Sequence, residues 1–137
     1  MQKLFLCLAL ALFSSCASTQ VKNVIPNSEI KTLLVFNQKE CNENIIIFDN
    51  QEDFDEFQKK QEKSGPRSNP IFTVDFSTKN VAVVCRDNID GFEIINIEEK
   101  RKSSRLNLKK IEGYENNYAS TNSILIEIPK TINKLII

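Results

Sequence analysis

The side chains that most often perform acid–base chemistry are scarce in this 137-residue chain. It contains no histidine, which removes the commonest general base and metal ligand and excludes Ser-His-Asp and Cys-His arrangements within the chain. Its three glycines, Gly65, Gly91 and Gly113, form no phosphate-binding loop. We therefore expect a non-catalytic protein without a cofactor.

Cysteine is the one reactive residue type with an informative distribution. Cys7 lies in an apolar N-terminal run and Cys16 follows that run after two serines, so only Cys41 and Cys85 belong to the folded part. They form no Cys-x-x-Cys pair, so neither a zinc site nor a thioredoxin-like site is indicated. Two alternatives stay open. A disulfide would close a long loop and contribute about 4 kcal/mol in the chain-entropy model, or both thiols are small buried hydrophobes.

Cys16 stands where a bacterial lipoprotein signal would place the lipidated cysteine. Lys3 precedes about ten apolar residues, Leu4 to Phe13, too few to span a bilayer. Phe13-Ser14-Ser15-Cys16 then resembles a lipobox, with Phe in place of the usual Leu. We expect residues 1–15 to be removed and Cys16 to carry the acyl chains (diacylglyceryl and a fatty acid such as palmitate) that anchor the protein in a membrane.

The acidic group Asp49, Asp53, Asp55 and Glu56 has the alternate spacing of a calcium loop. However, Phe54 occupies the position where such a loop needs glycine. Acidic residues in the first turn of a helix are favoured by the helix dipole, which explains this group without a metal. No metal site is predicted.

Charge is balanced, with eighteen basic and eighteen acidic residues. No strong field is therefore available to attract nucleic acid. A local basic run could be a solvated strand and loop face or a patch that docks a partner. It comprises Lys100, Arg101, Lys102, Arg105, Lys109 and Lys110.

The elements that must position these residues follow from the periodicity. We predict a flexible tether over residues 16–29 and a single domain over residues 30–137. One helix is predicted over Gln51–Lys63, because Asp49-Asn50 can cap it and Phe54, Phe57 and Gln61 share a helical stripe.

Most of the remaining domain is predicted to be strand. Thr32–Phe36 and Asn44–Phe48 are β-rich, and the nearly continuous apolar run Val81–Cys85 indicates a central strand covered on both faces. A strand from Phe92 to Ile97 is expected to form a hairpin with it, and alternation from Arg105 to Lys109 predicts a strand with one wet face.

Ile124–Ile128 is a last apolar run, and Pro129 after it marks a bend or edge. Together the runs predict six to eight strands and one helix. The fold class is α+β, a mainly antiparallel sheet or partly closed barrel with the helix packed on it.

The order of these features resembles the PrcB-type family of protease-complex subunits. The resemblance rests on the lipoprotein signal, the short helix with two Phe, the segment Val74-Asp75-Phe76 before a β-rich run, and Ile128-Pro129-Lys130 near the end. It covers about residues 45–135, although this chain has few glycines before its last strands and no cysteine in that C-terminal part. Asp75, Phe76, Pro129 and Lys130 are the motif residues that carry over, and we expect them to shape the fold.

The resemblance implies a lipoprotein that binds and supports another exported protein, such as a secreted protease. We expect docking through a sheet edge or the basic strand face, on the periplasmic side of the envelope. The alternative is a lipoprotein that binds a small ligand in an apolar cavity between helix and sheet.

Overall fold

The computed structural model describes residues 20–38, 41–42, 44–62, 70–86, 91–111 and 122–137. Within these ranges the chain forms eight strands, a 3-10 turn at Asn27–Glu29 and an α-helix, α1, at Gln51–Glu62. The strands are β1 (Val21–Pro26), β2 (Lys31–Phe36), β3 (Ile45–Phe48), β4 (Lys79–Cys85), β5 (Phe92–Lys100), β6 (Ser104–Lys110), β7 (Ser123–Pro129) and β8 (Leu135–Ile136).

The strands divide into two open sheets. Sheet A has the order β1-β5-β6-β8, and sheet B has the order β2-β7-β4-β3. Every pairing is antiparallel except that of β6 with β8. The predicted α+β class with mainly antiparallel sheets is confirmed, and the two sheets do not close into a barrel.

The main core lies between the two sheets and a second core lies between sheet B and α1. Along β4, Ala82 and Val84 face sheet A, while Val81 and Val83 face the helix. This strand is paired on both edges, with β3 and β7. The prediction of a central strand covered on both faces is confirmed.

The helix begins where its capping residues predict. The Asn50 side chain accepts a hydrogen bond from the Asp53 amide at 2.9 Å and donates one to the Asp53 carboxylate at 2.8 Å, a reciprocal cap at the first turn. Phe54 is fully buried and Phe57 packs beside it against sheet B. The predicted helix is thus confirmed through Glu62, and Lys63 lies outside the described residues.

Two glutamines of α1 hold the extended segment before β4. Gln58 donates to the Phe72 carbonyl at 3.1 Å and accepts from the Phe72 amide at 2.6 Å. Gln51 accepts from the Val74 amide at 3.3 Å. These side chains form hydrogen bonds with the backbone of a segment that pairs with no described strand. The bonds hold this segment where it crosses the helix–sheet core.

The structure corrects the predicted tether. Val21–Pro26 is strand β1, which pairs with β5, so the folded domain begins at least nine residues earlier than Ile30. Ile25 is buried in the main core, and this burial explains why a mostly exposed segment forms a strand. The predicted tether over residues 16–29 is therefore wrong from Val21 onward, and residues 16–19 lie outside the described ranges.

The predicted hairpin of β4 with β5 is also wrong. The two strands lie in different sheets, because both edges of β4 are taken by β3 and β7. The inward residues Phe92, Ile94 and Ile97 instead cover the main core from sheet A. Short apolar runs predict strands but do not specify which strands pair.

Candidate functional site

The exposed edge of β6 is the most distinctive surface of the described structure. β6 pairs with β5 from Arg105 to Lys110 but with β8 only at Ser104 and Arg105. No described strand pairs with the other edge of β6 from Asn107 to Lys110. An open strand edge carries unused backbone donors and acceptors and can template the addition of another strand.

The hydrogen bonds at the two ends of β6 show which residues direct their backbone outward. The Ser104 amide donates to the Lys134 carbonyl, on the β8 side, at 2.9 Å, whereas the Ile111 amide donates to the Gly91 carbonyl, on the β5 side, at 3.2 Å. Peptide groups alternate in direction along a strand. Leu108 and Lys110 therefore direct their N–H and C=O groups toward the open edge.

A groove of about 470 Å³, which we call the β6 groove, runs beside this edge. It combines apolar side chains that cover the end of the main core with polar residues on its rim. The described residues that line it are Arg86, Phe92, Arg105, Leu106, Asn107, Leu108, Lys109, Lys110 and Ile137.

All charged side chains among those that line the β6 groove are basic. Lys109 lies 3.8 Å from Glu93, but Arg86, Arg105 and Lys110 have no carboxylate within ion-pair distance in the described ranges. Arg86 continues the inward face of β4, and its Nε is buried without a hydrogen-bond partner. A buried donor of this kind is costly unless an acceptor reaches it.

Most residues of the basic run are exposed, on the turn between β5 and β6 and on β6, and acidic residues share the outer face of sheet A with them. Glu93 and Glu98 of β5 lie among the basic residues, and Glu98 is 3.7 Å from Lys100. Asn107 donates to both Asn96 and Glu98, at 2.7 and 3.1 Å. Basic and acidic side chains are therefore mixed on this face, and the basic residues without an ion pair in the described ranges lie both at the groove and in the turn, at Arg101 and Lys102.

The four motif residues converge at the other end of β4. Asp75 and Phe76 precede the strand, while Pro129 pairs with Lys79 at its start. The Lys130 amide donates to the Thr78 carbonyl at 3.2 Å. Because β4 has seven residues at about 3.3 Å each, this cluster lies roughly 23 Å from the end of β4 that leads into Arg86.

Each motif residue has a structural contact. The Asp75 carboxylate accepts hydrogen bonds from the Ser77 hydroxyl, the Ser77 amide and the Thr78 hydroxyl. The Ser77 hydroxyl, followed by the other two donors, holds the pKa of this exposed carboxyl below its ordinary value of 3.8. Phe76 packs edge-on against Phe54 with ring centroids 6.1 Å apart.

Lys130 completes this end of the molecule. Its ammonium donates to the Asp49 carbonyl at 2.8 Å, which joins the segment after β7 to the residue before the helix cap. Both residues line a small pocket of about 230 Å³, together with the buried Asn80. The Asn80 amide nitrogen donates to the Ile132 carbonyl at 3.0 Å, and its Oδ1 has no protein donor, so this pocket is suited to a small donor such as water.

Cys41 and Cys85 are joined by a disulfide, with Cα atoms 5.6 Å apart. The bridge connects the segment between β2 and β3 to the end of β4, one residue before Arg86. Both cysteines are buried. Of the two alternatives for these residues, the structure thus has the bridge, and a bridged sulfur is not available as a thiolate nucleophile.

The acidic residues near the start of α1 form hydrogen bonds at the N-terminal end of the helix. Asp53 belongs to the cap described above, and Asp55 accepts a hydrogen bond from Gln51 at 2.7 Å. Within the described ranges, no group of three or more acidic or cysteine side chains is placed to hold a metal ion.

The apolar pocket between α1 and sheet B is small. It is lined by residues such as Phe36, Phe57 and Phe72 and has a cavity volume of about 20 Å³, enough for about one water molecule. This pocket therefore gives no support to the alternative of a small-ligand site between helix and sheet.

The β6 groove was missed in the sequence, where Arg86 belonged to a turn and β6 was identified only by its alternation. The groove is formed by the way the strands pair, and the sequence does not specify that pairing.

Comparison with family models, with curated proteins and with solved structures finds no match for this chain. No described helix is long and apolar enough to cross a membrane, and Cys16 lies outside the described ranges.

Proposed function

We propose that this protein is a non-catalytic, membrane-tethered lipoprotein that captures an extended segment of another exported protein along the open edge of β6. The observation that carries the proposal is that the second edge of Asn107–Lys110, beside the β6 groove, pairs with no strand of the described ranges. The lipid on Cys16 supplies the tether, and the domain lies on the periplasmic side.

Strand addition suits the geometry of this edge. An incoming strand would lie in line with β8, where β8 ends, and would bond to the outward peptide groups of Leu108 and Lys110. Backbone hydrogen bonds supply affinity in such complexes, while the pockets that take alternate side chains supply specificity. Here Leu106 and Leu108 offer an apolar floor, so inward side chains of the partner would gain by burial.

The proposal that the protein is non-catalytic is supported by its residue content. The chain contains no histidine, and the only two cysteines in the described ranges are joined to each other. The resemblance to the protease-complex subunits suggests a secreted protease as the first partner to test, acting as a protein that the lipoprotein binds and supports.

The test is a comparison of two substitutions at one exposed residue. Lys110→Pro removes an outward N–H without removing a bond to β5, whereas Lys110→Ala retains that N–H and serves as the matched control. A photo-crosslinking residue at position 110 in the native host identifies the partner, and the same residue at Lys59, on the exposed face of α1, reports background.

We expect a partner adduct at position 110 but not at position 59. We expect Lys110→Pro to recover much less of that partner than Lys110→Ala, which lacks the same side-chain charge but keeps the N–H. Thermal unfolding of both variants checks that the fold is intact. Equal recovery of the partner by the Pro variant and the wild type would show that the β6 edge is not the binding site.

A further inference from the structure

We infer that the segment captured in the β6 groove is acidic and places a carboxylate beside Arg86. This inference rests on the proposed strand addition and states what kind of partner the edge selects. Its basis is independent of the open edge, because it comes from the charged side chains that line the groove.

Arg86 is the central residue of the argument. It follows Ala82 and Val84 on the inward face of β4, so its side chain extends between the sheets toward the groove. Its Nε is buried and unpartnered, and no carboxylate of the described residues pairs with it. A carboxylate from a partner would satisfy this donor and the positive charge together, which a neutral side chain cannot do.

The Arg86 backbone is held in place, so its side chain starts from a fixed position. Its amide donates to the Asn122 carbonyl at 2.9 Å, and the preceding residue, Cys85, is in the disulfide. Asn122 is itself bonded on both sides to the Gln38 main chain, at 2.8 and 2.9 Å. A guanidinium that is positioned before binding loses less conformational entropy when a carboxylate arrives.

The register of β6 predicts where the acidic residues of the partner fall. Side chains of an added strand lie on the same face as the β6 residues directly beside them. The position beside Leu108 therefore faces inward and favours an apolar residue, while the register of β8 places Ile137 next to Leu106. The next inward position lies beside Lys110, near Phe92 and Arg86, and favours a carboxylate.

On the outer face, the position beside Lys109 favours an acidic residue as well, whereas the position beside Arg105 is already taken by Ile136 of β8. The preferred partner is therefore an extended segment in which apolar and acidic residues alternate, with an acidic residue also on the inward side at the Arg86 end.

The probe is an acetylated and amidated octapeptide, the glutamate peptide, in which valine and glutamate alternate except that the inward position beside Lys110 is also glutamate. Its counterpart, the glutamine peptide, has glutamine at that one inward position. Binding to the detergent-solubilised full-length protein is measured by isothermal calorimetry at fixed salt. The variants are Arg86→Gln and, as a matched control outside the groove, Arg101→Gln in the exposed turn between β5 and β6.

We expect saturable binding of the glutamate peptide and roughly tenfold or more weaker binding of the glutamine peptide, the ratio that follows from losing one charge-assisted hydrogen bond. Arg86→Gln should reduce affinity for the glutamate peptide by a similar factor and leave the glutamine peptide unaffected. Arg101→Gln should bind both peptides as the wild type does.

Three results would overturn this inference, each at a different point. Equal affinity for the two peptides, both lost in Lys110→Pro, would keep strand capture and reject the preference. Saturable glutamate binding that Lys110→Pro leaves intact would reject the edge itself. Failure of both peptides, with Arg86-dependent binding to vesicles containing anionic lipid, would assign the basic groove to a membrane surface.

Discussion

Single side chains in this protein replace backbone partners where the sheets cannot provide them. Gln58 pairs with both the amide and the carbonyl of Phe72, and Asn122 does the same for Gln38. Both pairs link segments that are distant in sequence. A carboxamide can do this because it carries a donor and an acceptor side by side. Such residues therefore stabilise the segments that lead into the strands of sheet B.

Asp75 gives a prediction at the same scale. Hydrogen bonds from the Ser77 hydroxyl and amide lower its pKa in the folded protein, so the ionised carboxylate stabilises the fold above the ordinary value of 3.8. That stabilisation should be lost as the pH falls below about 4 and through the lower pKa of the folded state. Denaturant unfolding between neutral pH and about pH 3 measures this change.

The control is Asp75→Asn, which cannot ionise. The stability difference between the wild type and Asp75→Asn should be largest near neutral pH and should shrink in acid. If both proteins lose stability in parallel over the whole range, the Asp75 turn does not contribute to the pH dependence.

The strands of this fold differ in how completely their edges are paired. β4 is paired on both edges and covered on both faces, and its last residue is bridged to Cys41. β6, in contrast, is paired with described strands along only one edge over most of its length, because β8 has two residues. The strand that is most secure thus supplies Arg86 at its end, next to the strand that is least paired.

The disulfide leads to a prediction about the end of β4. It closes a loop with a sequence separation of 44 residues, so its removal should lower the free energy of unfolding by about 2–5 kcal/mol. Thermal unfolding with and without reductant measures the effect. The double variant Cys41→Ala/Cys85→Ala is the control, since reductant should not change its melting temperature.

Reduction should also weaken any ligand that depends on Arg86, because the bridged residue precedes it. A melting temperature that reductant leaves unchanged in the wild type would contradict a stabilising bridge.

At the scale of the whole molecule, the two sheets and the helix form three layers with sheet B in the middle. The motif cluster and the β6 groove lie near opposite ends of β4, so the residues that carry the family resemblance do not line the proposed binding edge. Partner binding at the groove would therefore tolerate substitutions at Lys130 that preserve the fold. This separation is consistent with the expectation that the motif residues shape the fold.

The lipid anchor on Cys16 is a prediction about the whole molecule. Intact mass of the membrane-extracted protein should begin at Cys16 and include diacylglyceryl and acyl groups, because several acyl chains bind a bilayer almost irreversibly. Cys16→Ala should lack these groups and leave the membrane fraction. An unmodified mass for the wild type in the soluble fraction would show that Cys16 is an ordinary residue.

Periodicity in the sequence determined the local structure. The cap at Asn50 and the stripe of Phe54 and Phe57 predicted the helix, and the continuous apolar run at Val81–Cys85 predicted the buried central strand. These features depend on neighbouring residues, so they are readable without the fold. The α+β class followed from the same patterns.

Only the tertiary structure decided which strands pair and what their edges expose. β1 looked like part of a tether because one buried residue, Ile25, anchors an otherwise exposed strand. The assignment of β4 and β5 to different sheets, the open edge of β6 and the position of Arg86 all depend on contacts between distant residues. The sequence of a short strand does not specify which strands it pairs with. The candidate site could therefore be identified only from the assembled sheets.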